Sequence, residues 1–176
     1  MIHYAIMEKV RSELETELAR PSTDPTRIGI VMLGPLQGDP DPDVARVSIT
    51  VHENDPDQLG QTMPSATREA WDDEVSELEI GGVITWSRKF TVRARCLLEQ
   101  TREDLTHARQ IASSVRSRIE KALLGIDFSG VQSDGEYVSR GVFGENIHGE
   151  VIQSGGPEAY DFLIKVRFEV LTTTEG

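Results

Sequence analysis

From Ile84 to Leu98 the chain alternates with a period of two. Ile84, Trp86, Phe90, Val92, Ala94, Cys96 and Leu98 share one parity, and Thr85, Ser87, Lys89, Thr91, Arg93 and Arg95 the other. Successive side chains of a β-strand point to opposite faces, so this pattern reads as one half-buried strand from Gly82 to Leu98. That is far beyond the typical length of about 5–6 residues. A strand of this kind needs a cover for its apolar side and leaves Lys89, Arg93 and Arg95 in a row on the other. Arg88 breaks the parity. A cation among core residues has to sit near an edge, pair internally, or mark a bulge that shifts the register.

The strand is followed by a helical stripe. Leu105, Ala108, Ala112, Val115, Ile119, Ala122 and Leu123 recur at helical spacing, with Arg102, Arg109, Arg116 and Glu120 largely outside them. Thr101 and Asp104 resemble a capping box at its start, and Gly125 stands where a helix-ending glycine belongs. A second stripe, Ile2, Ile6, Val10, Leu14 and Leu18, predicts an amphipathic helix from the N-terminus that Pro21 stops. Ile28, Ile30 and Met32 alternate in a short strand, and Val47, Ile49 and Val51 oppose Arg46, Ser48, Thr50 and His52 in another. We expect these two to be antiparallel neighbours joined by a long hairpin loop. Tyr137, Val138, Val142 and Phe143 read as strand or edge structure. "HGEVIQ" and "EAYDFLIKVRFEVLTT" read as strands flanking the turn "SGGPE". In the last strand Tyr160, Phe162, Ile164, Val166, Phe168 and Val170 face a core, while Asp161, Lys165, Arg167 and Glu169 face away.

The residues from Glu53 to Glu79 show little periodicity, carry many acids, and include Pro56, Gly60 and Pro64. They read as a long loop insertion, with a short helix around Ser65 to Val75 as one way to order it. Loops of this length tend to carry function. Met63 and Trp71 in it need a partner surface. The whole indicates a single α+β domain over residues 1–176: an antiparallel sheet of four to five strands with two main helices packed on one face.

Chemistry is harder to find. The 18 Lys+Arg against 30 Asp+Glu leave a net charge of −12, which repels nucleic acid and anionic membrane. No apolar run approaches the about 18 residues of a membrane span. The first twenty residues lack the basic start and apolar block of a signal peptide. The one cysteine, Cys96, allows no internal disulfide, fits a reducing compartment, and sits on an apolar strand side as a small core residue. His3, His52, His107 and His148 have no metal-ligand spacing. Asp39, Asp41 and Asp43 imitate the start of a calcium loop, but Val44 and Thr50 stand where its glycine and closing glutamate belong. Glu53, Asp55 and Asp57 fail in the same places, at Gln58 and Pro64. Neither "GPLQG" nor "GVFGENIHG" forms a phosphate cradle, and no serine occupies a nucleophile elbow. We expect no catalytic residue, cofactor site or metal site, and hence not an enzyme.

What remains are surfaces: a long strand with an uncovered polar side, and an acidic loop bearing aromatics. The order of elements resembles the tail terminator proteins of long-tailed bacteriophages and the related neck, head-tail joining and tail completion proteins. The resemblance runs from the helix at Ile2–Arg20 to the closing strand at Tyr160–Thr172. It is carried by "GGVITWSRKFTVRARCLLEQ" leading into "TREDLTHARQIASSVRSRIEKALLG", and by "YDFLIKVRFEVLTT". The Glu53–Glu79 excursion is longer than in compact members of that group.

The resemblance implies a structural virion protein of the tail or neck, assembled in the host cytoplasm. Such a protein forms a ring, commonly a hexamer, on the head-proximal end of the tail tube. It stops tube polymerisation and offers a joining surface to the head connector or stopper, while genome DNA passes through the lumen without specific binding. The alternatives are another neck or tail completion ring subunit, or a non-viral protein-binding adaptor of similar fold. On this reading Lys89, Arg93 and Arg95, with Trp71 and Met63, form a subunit interface in which the cations meet acids of a neighbour, those of the Glu53–Glu79 loop among them. Two other readings stay open: a solvated face paired with Asp161 and Glu169, and contact with passing DNA.

Overall fold

The computed structural model describes residues 1–20, 30–33, 44–53, 75–80, 83–97, 105–154 and 161–175. Its centre is a pair of fifteen-residue strands, Val83–Leu97 and Asp161–Glu175. They run antiparallel in unbroken register from Val83 opposite Glu175 to Leu97 opposite Asp161. At about 3.4 Å per residue each spans roughly 50 Å. In chain order the elements are α1 (Ile2–Leu18), β1 (Ile30–Leu33), β2 (Val44–Glu53), β3 (Val75–Ile80), β4 (Val83–Leu97) and α2 (Leu105–Gly125). They continue with β5 (Gln132–Ser133), β6 (Glu136–Arg140), β7 (Ile147–Ser154) and β8 (Asp161–Glu175), with a 3₁₀ turn at Gly144–Asn146 before β7.

Each long strand is too long for one partner, and its outer edge is shared by two. β2 pairs with the C-terminal half of β4 and β3 with its start, both antiparallel. β7 pairs with the first half of β8 and β6 with its end. β1 and β5 extend the two sides, giving an eight-stranded sheet in an α+β fold. The expected four to five strands are exceeded by short additions. One of them, β3, takes up residues at the end of the stretch read as a structureless insertion, as β2 takes up Glu53 at its beginning. Residues 54–74, with Met63 and Trp71 and most of the helix suggested there, lie outside the described residues. So do Pro21, Thr101 and Asp104.

The pairing of β1 with β2 corrects the hairpin expectation. The two run parallel, with Ile30 opposite Val44 and Leu33 opposite Val47. Alternation looks the same in both directions, and β2 already meets its antiparallel partner, β4, on the other edge.

The core lies on one face of the sheet. Phe90, Val92, Ala94 and Cys96 of β4 and Phe162, Ile164, Val166, Phe168 and Val170 of β8 are all buried. Phe90 and Phe168 stack across the ladder with centroids 5.5 Å apart, a pair contributing about 0.5–1.5 kcal/mol beyond its area. Both helices cover this face. α1 buries Ile2, Ile6, Val10, Leu14 and Leu18. α2 buries Ala108, Ala112, Val115, Ile119 and Leu123, together with Ile111, which the stripe had omitted. α2 crosses β7 at Gly149, where a Cβ would run into the side chains of Arg116 and Glu120. Burial raises the Cys96 thiol to about 12, with the Asp161 carboxylate adding to it, so the group stays neutral and acts as core.

The helix ends hold two differences from expectation. Gly125 closes α2 but is not in the left-handed region. Among the described residues only Gly130, Gly135 and Asp134 are. The end is instead tightened by the Ile126 N–H donating to the Leu123 carbonyl at 3.4 Å. The end of α1 is capped from a distance. Arg118 of α2 donates through Nη2 to the carbonyls of Glu17 at 2.9 Å and Leu18 at 3.2 Å, and to that of Arg20. A cation there satisfies orphan carbonyls and opposes the negative end of the helix dipole. Arg118→Ala should lower stability by about 1–2 kcal/mol, read as a lower urea midpoint with unchanged slope. An unchanged midpoint would mean that water serves these carbonyls equally well.

Candidate functional site

The face of the sheet turned away from the helices is where the sequence placed its cations. The register now orders them in rows across four strands. One row runs Thr50, Arg93, Lys165, Glu150; the next runs Ser48, Arg95, Leu163, Ile152. A third runs His52, Thr91, Arg167, His148, and Lys89 stands opposite Glu169. Lys89 and Arg95 are exposed and Arg93 is half-buried. All three lie on the expected face. β8 contributes two more cations, so five of them, Lys89, Arg93, Arg95, Lys165 and Arg167, share it with three carboxylates, Glu150, Asp161 and Glu169. Among these eight side chains the cations are in excess, in a chain whose total is −12.

The face is not uniformly wet. Thr91 is 1% exposed and Lys165 5%. Both lie on the central strands, flanked on each side by side chains of neighbouring strands about 4.5–5.5 Å away, and Lys165 has Arg93 on one side and Glu150 on the other. Like charges directly opposite each other, as Arg93 and Lys165 are, destabilise a ladder unless anions stand close.

Two of those anions are seen at work. Arg95 forks onto Asp161, with Nη2 to Oδ2 at 2.6 Å and Nε to Oδ1 at 3.0 Å. This bond raises the Arg95 guanidinium above its already high pKa. Arg167 Nη2 reaches Glu150 Oε1 at 3.5 Å. The Arg95 pairing is the one the solvated-face reading named. Such an exposed fork contributes about 0–1 kcal/mol.

The cations do not form one strip, because the relief of the face divides them. A hollow of about 310 Å³ is lined by Ser48, Thr50, Arg93, Arg95, Ser154, Asp161 and Leu163. A second, of about 320 Å³, holds Lys89 with Glu145, His148, Arg167 and Glu169 beside the 3₁₀ turn. Among the described residues the first gathers two guanidiniums and three hydroxyls around a single carboxylate. The second mixes both signs of charge.

The structure also brings together a polar cluster that sequence reading missed, under the first turn of α1. Arg88 is 8% exposed and pairs internally, which settles its broken parity. It donates to Glu136 Oε1 from Nη2 at 2.8 Å and from Nε at 3.2 Å, and to Thr172 Oγ1 at 3.2 Å. Thr172 also donates to the same glutamate oxygen. The guanidinium lies 5.0 Å from the Trp86 ring centroid. Next to it, His3 Nε2 stands 3.7 Å from Glu53 Oε1. Burial first, and the Arg88 charge second, lower the His3 pKa to about 4, against an opposing pull from Glu136. Burial raises that of Glu53, partly offset by Arg88. The available signal was Glu53 itself, which continues the core parity of Val47, Ile49 and Val51.

Among the described residues no group of three or more His, Cys, Asp or Glu side chains could hold a metal ion. None of the helices there is long and apolar enough to cross a membrane. Compared with known proteins, the chain matches no family model and no curated protein.

Proposed function

We propose that this chain is a structural virion protein, a ring-forming tail terminator at the head-proximal end of a phage tail tube. It stops tube polymerisation and presents the joining surface for the head connector. The observation that carries the reading is the one-sided sheet. Two fifteen-residue strands have one face under two helices and the other laid out as a charged surface of sign opposite to the chain. A surface of that kind suits repeated contact with copies of the same acidic chain. In a closed ring each contact recurs with the symmetry, so pairs that are weak singly act together. Specificity then rests on complementary surfaces, and no catalytic step is assigned. The ring number implied by the family resemblance is six. Genome DNA passes through the lumen without specific binding.

Electron microscopy of the purified chain, alone and mixed with tail-tube protein, tests this. Rings of constant diameter, or caps closing one end of each tube, are expected. A chain that stays monomeric at high concentration and leaves tubes uncapped and growing would overturn the reading.

A further inference from the structure

We propose that the hollow over β2, β4, β8 and β7, lined by Arg93 and Arg95, receives carboxylate side chains from the surface of a second copy of this chain. The inference rests on the self-assembling reading above and names the partner chemistry of one part of the face. Arg93 and Arg95 are two residues apart on β4, so both guanidiniums rise from one side of the strand. Ser48 and Thr50 on β2 and Ser154 on β7 add hydroxyl donors around the same space of about 310 Å³, and Leu163 supplies its apolar patch. Lys165 stands directly opposite Arg93 in the register, with Glu150 on its other side. Among the described residues of the lining Asp161 is the one carboxylate, and it is engaged by Arg95. A guanidinium presents a planar fork of donors that matches a carboxylate, and Arg95 still has 58% of its side-chain surface open while holding Asp161. The hollow is therefore built for acceptors carrying negative charge.

The charge balance selects the occupant. A chain at −12 carries carboxylates in excess, while on this face the cations named above outnumber the carboxylates paired with them. A second copy is then attracted here and repelled elsewhere, which orients the contact as well as strengthening it. A head-to-tail arrangement of this contact closes into a ring when its rotation allows.

The experiment uses the full chain and the double substitution Arg93→Gln and Arg95→Gln, with Lys121→Gln, exposed on the helix side, as control. Self-association is read by analytical ultracentrifugation at low and at 0.5 M salt, and binding of a hexaglutamate peptide and of a short duplex DNA is read by titration calorimetry. The wild-type chain should associate, lose association at high salt, and bind hexaglutamate more tightly than DNA. The double variant, folded by circular dichroism, should lose roughly tenfold in both association and peptide binding, and the control should lose neither. If the wild type associates and the double variant associates equally well, the ring reading survives and this hollow is not its contact. If hexaglutamate binds to a chain that never associates, the ring reading falls and the second copy is excluded as occupant. Tighter binding of DNA would assign the hollow to phosphate and overturn the proposal. Should the double variant unfold, Arg93→Lys with Arg95→Lys keeps the charge and removes the fork; undiminished peptide binding by it would overturn the carboxylate assignment.

Discussion

Arg88→Met is expected to be the most damaging single change in the described part of the chain, lowering stability by about 3–5 kcal/mol. Arg88 and Glu136 keep only 9% and 14% of their side-chain surface, so removing the guanidinium strands a carboxylate beside the core. Thr172 still donates to it, but one hydroxyl does not replace two guanidinium bonds. Against a usual total of about 5–15 kcal/mol this is a large share. The companion change separates burial of a lone charge from loss of packing. With Glu136→Met added, the stranded carboxylate is gone, and most of the stability should return, since an apolar pair of similar volume does as well as a buried ion pair. Urea unfolding of the wild type, the two single variants and the double variant measures both effects. A double variant no more stable than Arg88→Met alone would show that the loss came from the guanidinium's packing over Trp86.

Arg88 also marks the boundary of what the chain's own residues reveal. Its broken parity is legible, because alternation is local. Its partner is not, because Glu136 lies 48 positions away on a strand that meets β4 only through β8. The same division holds elsewhere. The buried rows of α1, β4 and β8 follow from period alone, since one face of each must be covered. The parallel direction of β1 does not, because the pattern is blind to direction. β3 escaped because "VSELEI" sits in an acidic stretch with no clean alternation, and its strand form comes from pairing with β4. One local signal was readable and overlooked. Asp134 and Gly135 both take positive φ, 53° and 80°, in the two-residue turn between β5 and β6, and Asp-Gly is among the strongest short hairpin signals. On the polar face, the choice of cations was legible. Their separation into two hollows was not, since it depends on β7 and the 3₁₀ turn standing beside β8.

The second large effect concerns acid. In the folded chain His3 has a pKa of about 4 against an ordinary 6.5, so the fold holds the ring neutral. A base whose pKa is depressed on folding binds its proton more readily when unfolded. Its contribution is complete above pH 6.5 and is lost as the pH falls from 6.5 towards 4. Because the ring is only partly shut from water, the loss is discounted to about 1–2 kcal/mol. Glu53, 3.7 Å away, acts with the opposite sign. Its pKa is raised, so its protonated form suits the fold, and its contribution is present at low pH and fades as the pH rises through the folded value. The two oppose each other on acidification, and the larger shift of His3 decides the direction. Urea midpoints of the wild type should therefore fall between pH 6.5 and 4. His3→Gln, neutral throughout, should lack that fall, so that the difference between the two chains reports the imidazole together with its effect on Glu53. Arg88→Met provides the internal control. It removes the guanidinium charge that disfavours the imidazolium, so the His3 imidazole proton, followed by NMR, should titrate at higher pH in that variant. A wild type and a His3→Gln variant whose midpoints run parallel from pH 7.5 to 4 would show that the imidazole beneath the first turn of α1 is not held neutral by the fold.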